Sequence, residues 1–291
     1  MAQETLTVGD LTATFVDNAQ HGGHRAGYNG ISSLKHKTSE RSIFVEKIAG
    51  MNFEHIFSGE GEEDRDVFFE PRVAPMNFRK IDDASVELHQ PPTPTWHLES
   101  WTTFKMVAPH YIDFEFKCRA KQHVFEHGYI GLFWASYINA PLDKSMYFWG
   151  GLEGQQPLWQ QLCTHKHNDE STVLHKDETY QLKWAEGSRD TLYKNISPMR
   201  YHLPFFYGNF EDHTWAVMFD RSEGIRLTHS PSGGGVNVER KANNPAWDSQ
   251  FIIPDYDVMT DYSFQARCFL QPRITRDAMM KEYETWSASL K

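Results

Sequence analysis

The sequence predicts an all-β protein, a large antiparallel β-sandwich closed by one C-terminal helix. Three observations carry that reading. Apolar and polar residues alternate with period two in several stretches, turn-forming clusters interrupt them at short intervals, and helical periodicity appears only near the C-terminus. A chain of 291 residues fits a single β-sandwich domain over residues 1–291.

Taken in order, Val86 and Leu88 alternate with Ser85 and Glu87. Ile112, Phe114, Phe116 and Cys118 alternate with Asp113, Glu115, Lys117 and Arg119, which predicts a strand with one buried face. Tyr129 to Ile138 is apolar apart from Gly131 and Ser136, as suits a central strand covered on both faces. Tyr180, Leu182 and Trp184 against Gln181 and Lys183 predict another strand. Phe264, Ala266, Cys268 and Leu270 against Ser263, Gln265 and Arg267 predict the last. Turn chemistry lies at Gly59-Glu60-Gly61, Asp82-Asp83, Pro91-Pro92-Thr93-Pro94 and Ser230 to Gly235. Thr275 is placed to cap a helix over residues 275–290, with Asp277 in its first turn and Met279, Tyr283, Trp286 and Leu290 along one side.

Composition narrows the function. With 9 Trp, 12 Tyr and 20 Phe the chain can bury a sizeable core, so disorder is excluded. A net charge of −10 argues against nucleic acid as a partner. No apolar run approaches the roughly 18 residues of a membrane span, and Met1 to Leu6 lacks the basic and apolar parts of a secretion signal. Cys118, Cys163 and Cys268 are too few for a disulfide framework and read as buried thiols, which places the protein in the cytoplasm.

The richest stretch for chemistry is Trp96 to Thr103. On a strand, His97, Glu99, Trp101 and Thr103 share one face. A His and a Glu two residues apart would then flank one small ligand as proton donor and acceptor, with Trp101 as a stacking platform for a sugar ring. A second cluster is His165-Lys166-His167-Asn168-Asp169-Glu170. An HxH pair on a strand aims both imidazoles one way, so a divalent metal held by His165 and His167 is the one cofactor the pattern allows. Spacing to Glu170 is one residue short of the cupin metal motif, and the glycines of that motif are missing.

Three more stretches join strand-like runs to turns. Gly27-Tyr28-Asn29-Gly30-Ile31 follows His21, His24 and Arg25. Asn52-Phe53-Glu54-His55 is followed by Phe69-Glu70-Pro71-Arg72, where Arg72 would grip a carboxylate or a hydroxyl pair. In the third, Ile225, Leu227 and His229 share a face before a glycine run. His55, Arg72 and His229 are therefore candidate substrate contacts. The glycine run is followed by no Gly-Lys-Ser/Thr, and neither a GxSxG elbow nor a dinucleotide fingerprint occurs, which disfavours nucleotide chemistry and serine hydrolysis.

The stretches Gly27 to Leu34, Trp101 to Arg119 and Asn244-Pro245-Ala246-Trp247-Asp248, with many aromatic strands in a chain of this length, resemble the galactose mutarotase-like superfamily. The resemblance implies a β-supersandwich that acts on or binds carbohydrate. The Asn-His-x-x-Phe-Asn strand of aldose 1-epimerases is absent, so the histidine acid and glutamate base of that family transfer to no residue here. The expected activity is acid–base isomerisation of a sugar, with His97 as acid and Glu99 as base. The alternatives are a lyase working by β-elimination with a metal at His165 and His167, and a carbohydrate-binding protein without catalysis.

Overall fold

The computed structural model describes residues 2–18, 27–46, 48–60 and 64–290. Met1, His21, His24, Arg25 and Gly61 lie outside the described residues.

The strands in chain order are β1 Gln3–Val8, β2 Leu11–Val16, β3 Gly30–His36, β4 Asn52–Phe57, β5 Asn77–Lys80, β6 Ser85–Gln90, β7 Leu98–Val107, β8 Tyr111–Ala120, β9 Tyr129–Ala135 and β10 Met146–Leu152. They continue with β11 Leu158–Leu162, β12 Thr172–His175, β13 Ile196–Tyr201, β14 Phe205–Phe210, β15 His213–Phe219, β16 Ile225–Ser230, β17 Val236–Asn237, β18 Ala242–Asn243, β19 Ala246–Pro254 and β20 Asp261–Pro272. Two four-residue helices, α1 Arg65–Phe68 and α2 Glu70–Val73, follow β4, and α3 Arg276–Ser289 follows β20.

One long sheet runs β4-β9-β19-β16-β12-β13-β10-β14-β15-β20-β8-β7-β6-β5, with β11 added on β10. Its pairings are antiparallel except β12 with β13. The sheet curls so that its two halves face each other. Trp134 of β9 lies 4.7 Å from the Phe116 ring of β8 and 5.1 Å from Phe264 of β20, and Phe251 of β19 lies 5.2 Å from Phe264. A smaller sheet, β1-β2-β3, packs on the second half through Phe15 against Phe104. The predicted β-sandwich is what the chain forms.

Alternation explains most of it. β8 shows the half-buried pattern with Ile112, Phe114, Phe116 and Cys118 inside, and β9 is buried along its whole length. Thr275 caps α3, its hydroxyl accepting from the Ala278 N–H at 3.2 Å. Met279 and Trp286 are buried under that helix, whereas Leu290 ends exposed.

Three expectations need correction. Residues 180–184 form no strand. Their alternation serves packing of Tyr180 and Trp184 against Tyr129, and the backbone is tied by Tyr129 Oη donating to the Lys183 carbonyl rather than by a ladder. His97 does not belong to β7, which starts at Leu98; it sits in a turn with φ 48°. Cys163 is exposed just past β11, while Cys118 and Cys268 are buried. In the native protein a thiol reagent such as Ellman's is therefore expected to titrate Cys163 alone, with Cys118 and Cys268 reacting only on unfolding. Fast reaction of all three would show that the β8–β20 ladder opens readily. No helix among the described residues is long and apolar enough to cross a membrane.

Candidate active site

On the outer face of the first half-sheet, away from the sandwich core, lies a cavity of about 410 Å³. Strand parity builds its floor. Trp134 and Trp247 turn into the core, so their neighbours Phe133 and Asp248 turn outward into the cavity. The walls come from Tyr28, from α1 and α2, and from the segment around Thr191 to Tyr193.

Consecutive strand residues normally point to opposite faces, yet Glu54 and His55 both line the cavity. A bulge makes this possible. Phe53 pairs with Trp134 and His55 with Phe133, which leaves Glu54 as the extra residue and re-aims its side chain. Asn29 pins the strand at that point: its amide accepts from the Phe53 N–H at 2.8 Å and donates to the Phe53 carbonyl at 2.9 Å.

Glu54 is the hub. Its Oε1 lies 3.0 Å from Arg72 Nη1 and 3.2 Å from His55 Nε2, and Tyr137 donates its hydroxyl to the carboxylate at 2.5 Å. Burial, the largest influence, pushes the carboxyl up. Arg72, His55 and the Tyr137 hydroxyl outweigh it together and bring the pKa down to about 2. Arg72 is itself buried, donates from Nε to the Gly27 carbonyl at 2.6 Å, and stacks 3.8 Å above the Tyr28 ring. Gly27 is required there, because a Cβ would stand 1.4 Å from the Asn18 carbonyl oxygen and 2.8 Å from that of Arg72. The α1–α2 segment is anchored by Glu70, which accepts from the Thr95 and Trp96 N–H groups at 2.6 and 3.0 Å.

His55 sits in an aromatic box of Phe68, Phe69, Phe133 and Tyr193, with Nδ1 bonded to the Tyr193 hydroxyl. Burial lowers its pKa. Asp248 shares the cavity but differs in character. Its Oδ1 accepts from the Ser136 N–H at 2.9 Å, and burial, reinforced by the Glu54 charge, raises its pKa well above the ordinary value. Two carboxyls in one cavity are thus pushed in opposite directions, the arrangement that separates an acid from a permanent anion. At the rim, His167 holds Ser230 Oγ through Nδ1 at 2.8 Å, and burial followed by the Arg189 charge lowers its pKa.

Of the residues singled out by sequence, His55, Arg72 and His167 come together here. His229 does not line the cavity. Its Nδ1 accepts from the Thr164 N–H at 3.2 Å, so Nε2 carries the proton donated to the Lys144 carbonyl at 2.9 Å, and burial brings its pKa down to about 4. His165 is exposed in the loop between β11 and β12, not on a strand, so it does not share a face with His167. No group of three or more His, Cys, Asp or Glu side chains among the described residues is placed to hold a metal. Glu99, Trp101 and Thr103 do share the solvent side of β7. There Glu99 bonds His89 at 3.0 Å and Lys121 at 2.6 Å, and Trp101 is stacked on His89 with the Lys117 ammonium 4.4 Å from its ring. His97, Glu99 and Trp101 are on neither the floor nor the walls of the cavity.

Glu54, Tyr137 and Asp248 were not singled out. The available signal was a charged residue inside an otherwise apolar strand, as in Asn52-Phe53-Glu54-His55-Ile56-Phe57 and Ala246-Trp247-Asp248.

Comparison with solved structures fixes the architecture. An Escherichia coli K12 protein provisionally named an aldose 1-epimerase matches with a TM-score of 0.53 at 10% identity, over 94% of this chain and 99% of that one. An aldose epimerase homologue from C. elegans matches at 0.53 and 8% identity, over 94% and 100%. The chain has the galactose mutarotase-like fold. The same fold covers 99% of this chain but 39% of an α-N-acetylgalactosaminidase from Bifidobacterium bifidum, at a TM-score of 0.55 and 12% identity. No family model and no curated protein sequence matches the chain.

Proposed function

We propose that this cavity binds a sugar and that the protein interconverts its anomers or epimers by acid–base catalysis. The observation that carries the reading is the pairing, in one aromatic-walled cavity, of a Glu54 whose pKa its cationic and hydroxyl partners bring down with an Asp248 whose pKa burial raises well above its ordinary value. A volume of about 410 Å³ lies within the ~300–1,000 Å³ typical of small-molecule sites. Phe68, Phe69 and Tyr193 line the cavity with apolar surface suited to the C–H side of a sugar ring. Thr191 Oγ1 and Asn168 Oδ1 are buried at the cavity without a hydrogen-bond partner, and sugar hydroxyls would satisfy them.

The roles follow from pKa. A carboxylate held at about 2 is a weak base at neutral pH, so Glu54 orients its neighbours instead of taking protons. The base is the neutral imidazole of His167. In ring opening it removes the proton of the anomeric hydroxyl, those electrons form the C1 carbonyl, and the bond from C1 to the ring oxygen breaks. Asp248 delivers its proton to that oxygen. Closure on the other face of the carbonyl reverses each transfer.

The test is proton NMR of anomer exchange with a panel of reducing sugars. His167→Ala is expected to slow the catalysed exchange by ~10²-fold or more, whereas His97→Ala and Glu99→Gln leave it unchanged. Loss of exchange in the His97 and Glu99 variants, with His167→Ala active, moves the site to β7 and overturns this assignment. A new vinylic proton in the panel would point to β-elimination instead.

A further inference from the structure

We infer that the chain pairs with a second copy of itself through β11, the two strands meeting antiparallel about a two-fold axis at Gln160.

An open sheet edge is a row of unpaired N–H and C=O groups, and folded proteins guard it with charge, proline or cover. The edge at β5 follows that rule. It carries Arg79 and Lys80, which form ion pairs with Glu87 and Glu4 at 2.9 and 3.0 Å. β11 does not. Its sequence Leu158-Trp159-Gln160-Gln161-Leu162 holds no charge and no proline. Among the described residues β11 pairs with β10 alone, because β13 and β14 take the other side of β10. Its backbone makes no further hydrogen bond to the rest of the described chain. Leu158 stands 65% exposed on it, and Gln161 is exposed too.

The strand is complementary to its own copy. Centred on Gln160, antiparallel pairing uses all five residues and sets Leu158 opposite Leu162 of the partner subunit. Leu162 belongs to the core, so the exposed Leu158 gains an apolar neighbour on that face. On the other face Trp159 meets Gln161 of the partner subunit, and no charge is buried anywhere along the ladder. Beyond the strand the charges match. The same register lays the β10–β11 turn, which carries Glu153, beside the segment that leaves β11 in the other copy, which carries Lys166. Both side chains are exposed, and neither forms an ion pair among the described residues. A contact built on five residue pairs is small, which sets the dissociation constant on the order of 10–100 µM.

Sedimentation equilibrium of the full protein on both sides of that range tests this. The mass is expected to rise with concentration from 33.8 kDa toward twice that value. Leu158→Lys, at a position the single chain leaves exposed, should weaken association ~10-fold or more and leave the melting temperature unchanged. Disulfide trapping reads the register. In a Cys163→Ser background, Gln160→Cys should cross-link to its own copy under mild oxidation, since facing Cα atoms lie ~4.5–5.5 Å apart. Leu158→Cys should not, because its two copies stand four residues, or about 13 Å, apart along the ladder. The Leu158→Lys comparison serves if the Gln160 variant does not fold. A mass of 33.8 kDa at every concentration overturns the inference and leaves the edge to another kind of chain or to solvent. A dimer that Leu158→Lys leaves intact, or one that cross-links at 158 as readily as at 160, overturns it too, since the copies then meet elsewhere or in another register. Either result leaves the reading of the cavity untouched.

Discussion

Arg72→Met is expected to destabilise the fold by about 3–5 kcal/mol at pH 7, because it strands the buried Glu54 carboxylate without its cation. The pH dependence of that loss separates charge from packing. In the folded protein Glu54 titrates at about 2 rather than 4.5, so its environment contributes about 3 kcal/mol. A depressed carboxylate stabilises above its unfolded pKa, and that contribution disappears as pH falls from 4.5 toward 2. Without Arg72 the opposing influence of burial takes over and lifts the Glu54 pKa, so the variant's deficit should be greatest at neutral pH and shrink toward pH 4. Urea denaturation across that range measures it. Adding Glu54→Gln to Arg72→Met removes the stranded charge and should recover part of the loss at pH 7. A deficit that is flat with pH, or a double variant no more stable than the single one, would show that Arg72 matters for packing on Tyr28 and Phe69 rather than for charge.

The fold was legible because its dominant signals are local. The alternation from Ile112 to Cys118, the unbroken apolar run of β9 and the Thr275 cap each report their own few residues, and each appears where the pattern puts it. Residues 180–184 show the limit of that signal. Alternation states that one side is buried and is silent on whether a neighbouring strand exists to pair with, and there the burial is against Tyr129. The cavity was legible only in part. His55 and Arg72 stood out because their stretches join strand-like runs to turns, and His167 because of its HxH spacing from His165. Glu54 and Asp248 did not, because their placement depends on facts that no short window contains. One is the register slip between β4 and β9, which swings Glu54 onto the same side as His55. The other is the parity of β19 against a sheet assembled from segments more than a hundred residues apart, as Ser136 and Asp248 are. His97 illustrates the converse. Its spacing from Glu99 is right for a shared strand face, but the strand starts one residue later, and a single residue at a strand end decides whether a side chain belongs to the face.

Asp248→Asn separates a catalytic acid from a structural one, because the two roles predict opposite changes. The amide keeps the volume of the carboxyl and an oxygen able to accept from the Ser136 N–H, so packing and sugar binding should persist. It cannot deliver a proton, and catalysed anomer exchange should fall by ~10²–10⁴-fold. Stability should move the other way. Asp248 has a raised pKa in the fold, so as pH rises above 3.8 the unfolded chain releases a proton that the folded chain retains, and the native state loses ground. Asparagine carries no such linkage. The variant should therefore gain on the unaltered protein as pH rises above 3.8, until Asp248 titrates in the fold, even as its turnover collapses. A residue kept for stability would show a loss in both measurements, largely independent of pH. Greater stability together with lost activity would mark a chain that holds a proton donor inside an apolar wall at the expense of its own fold.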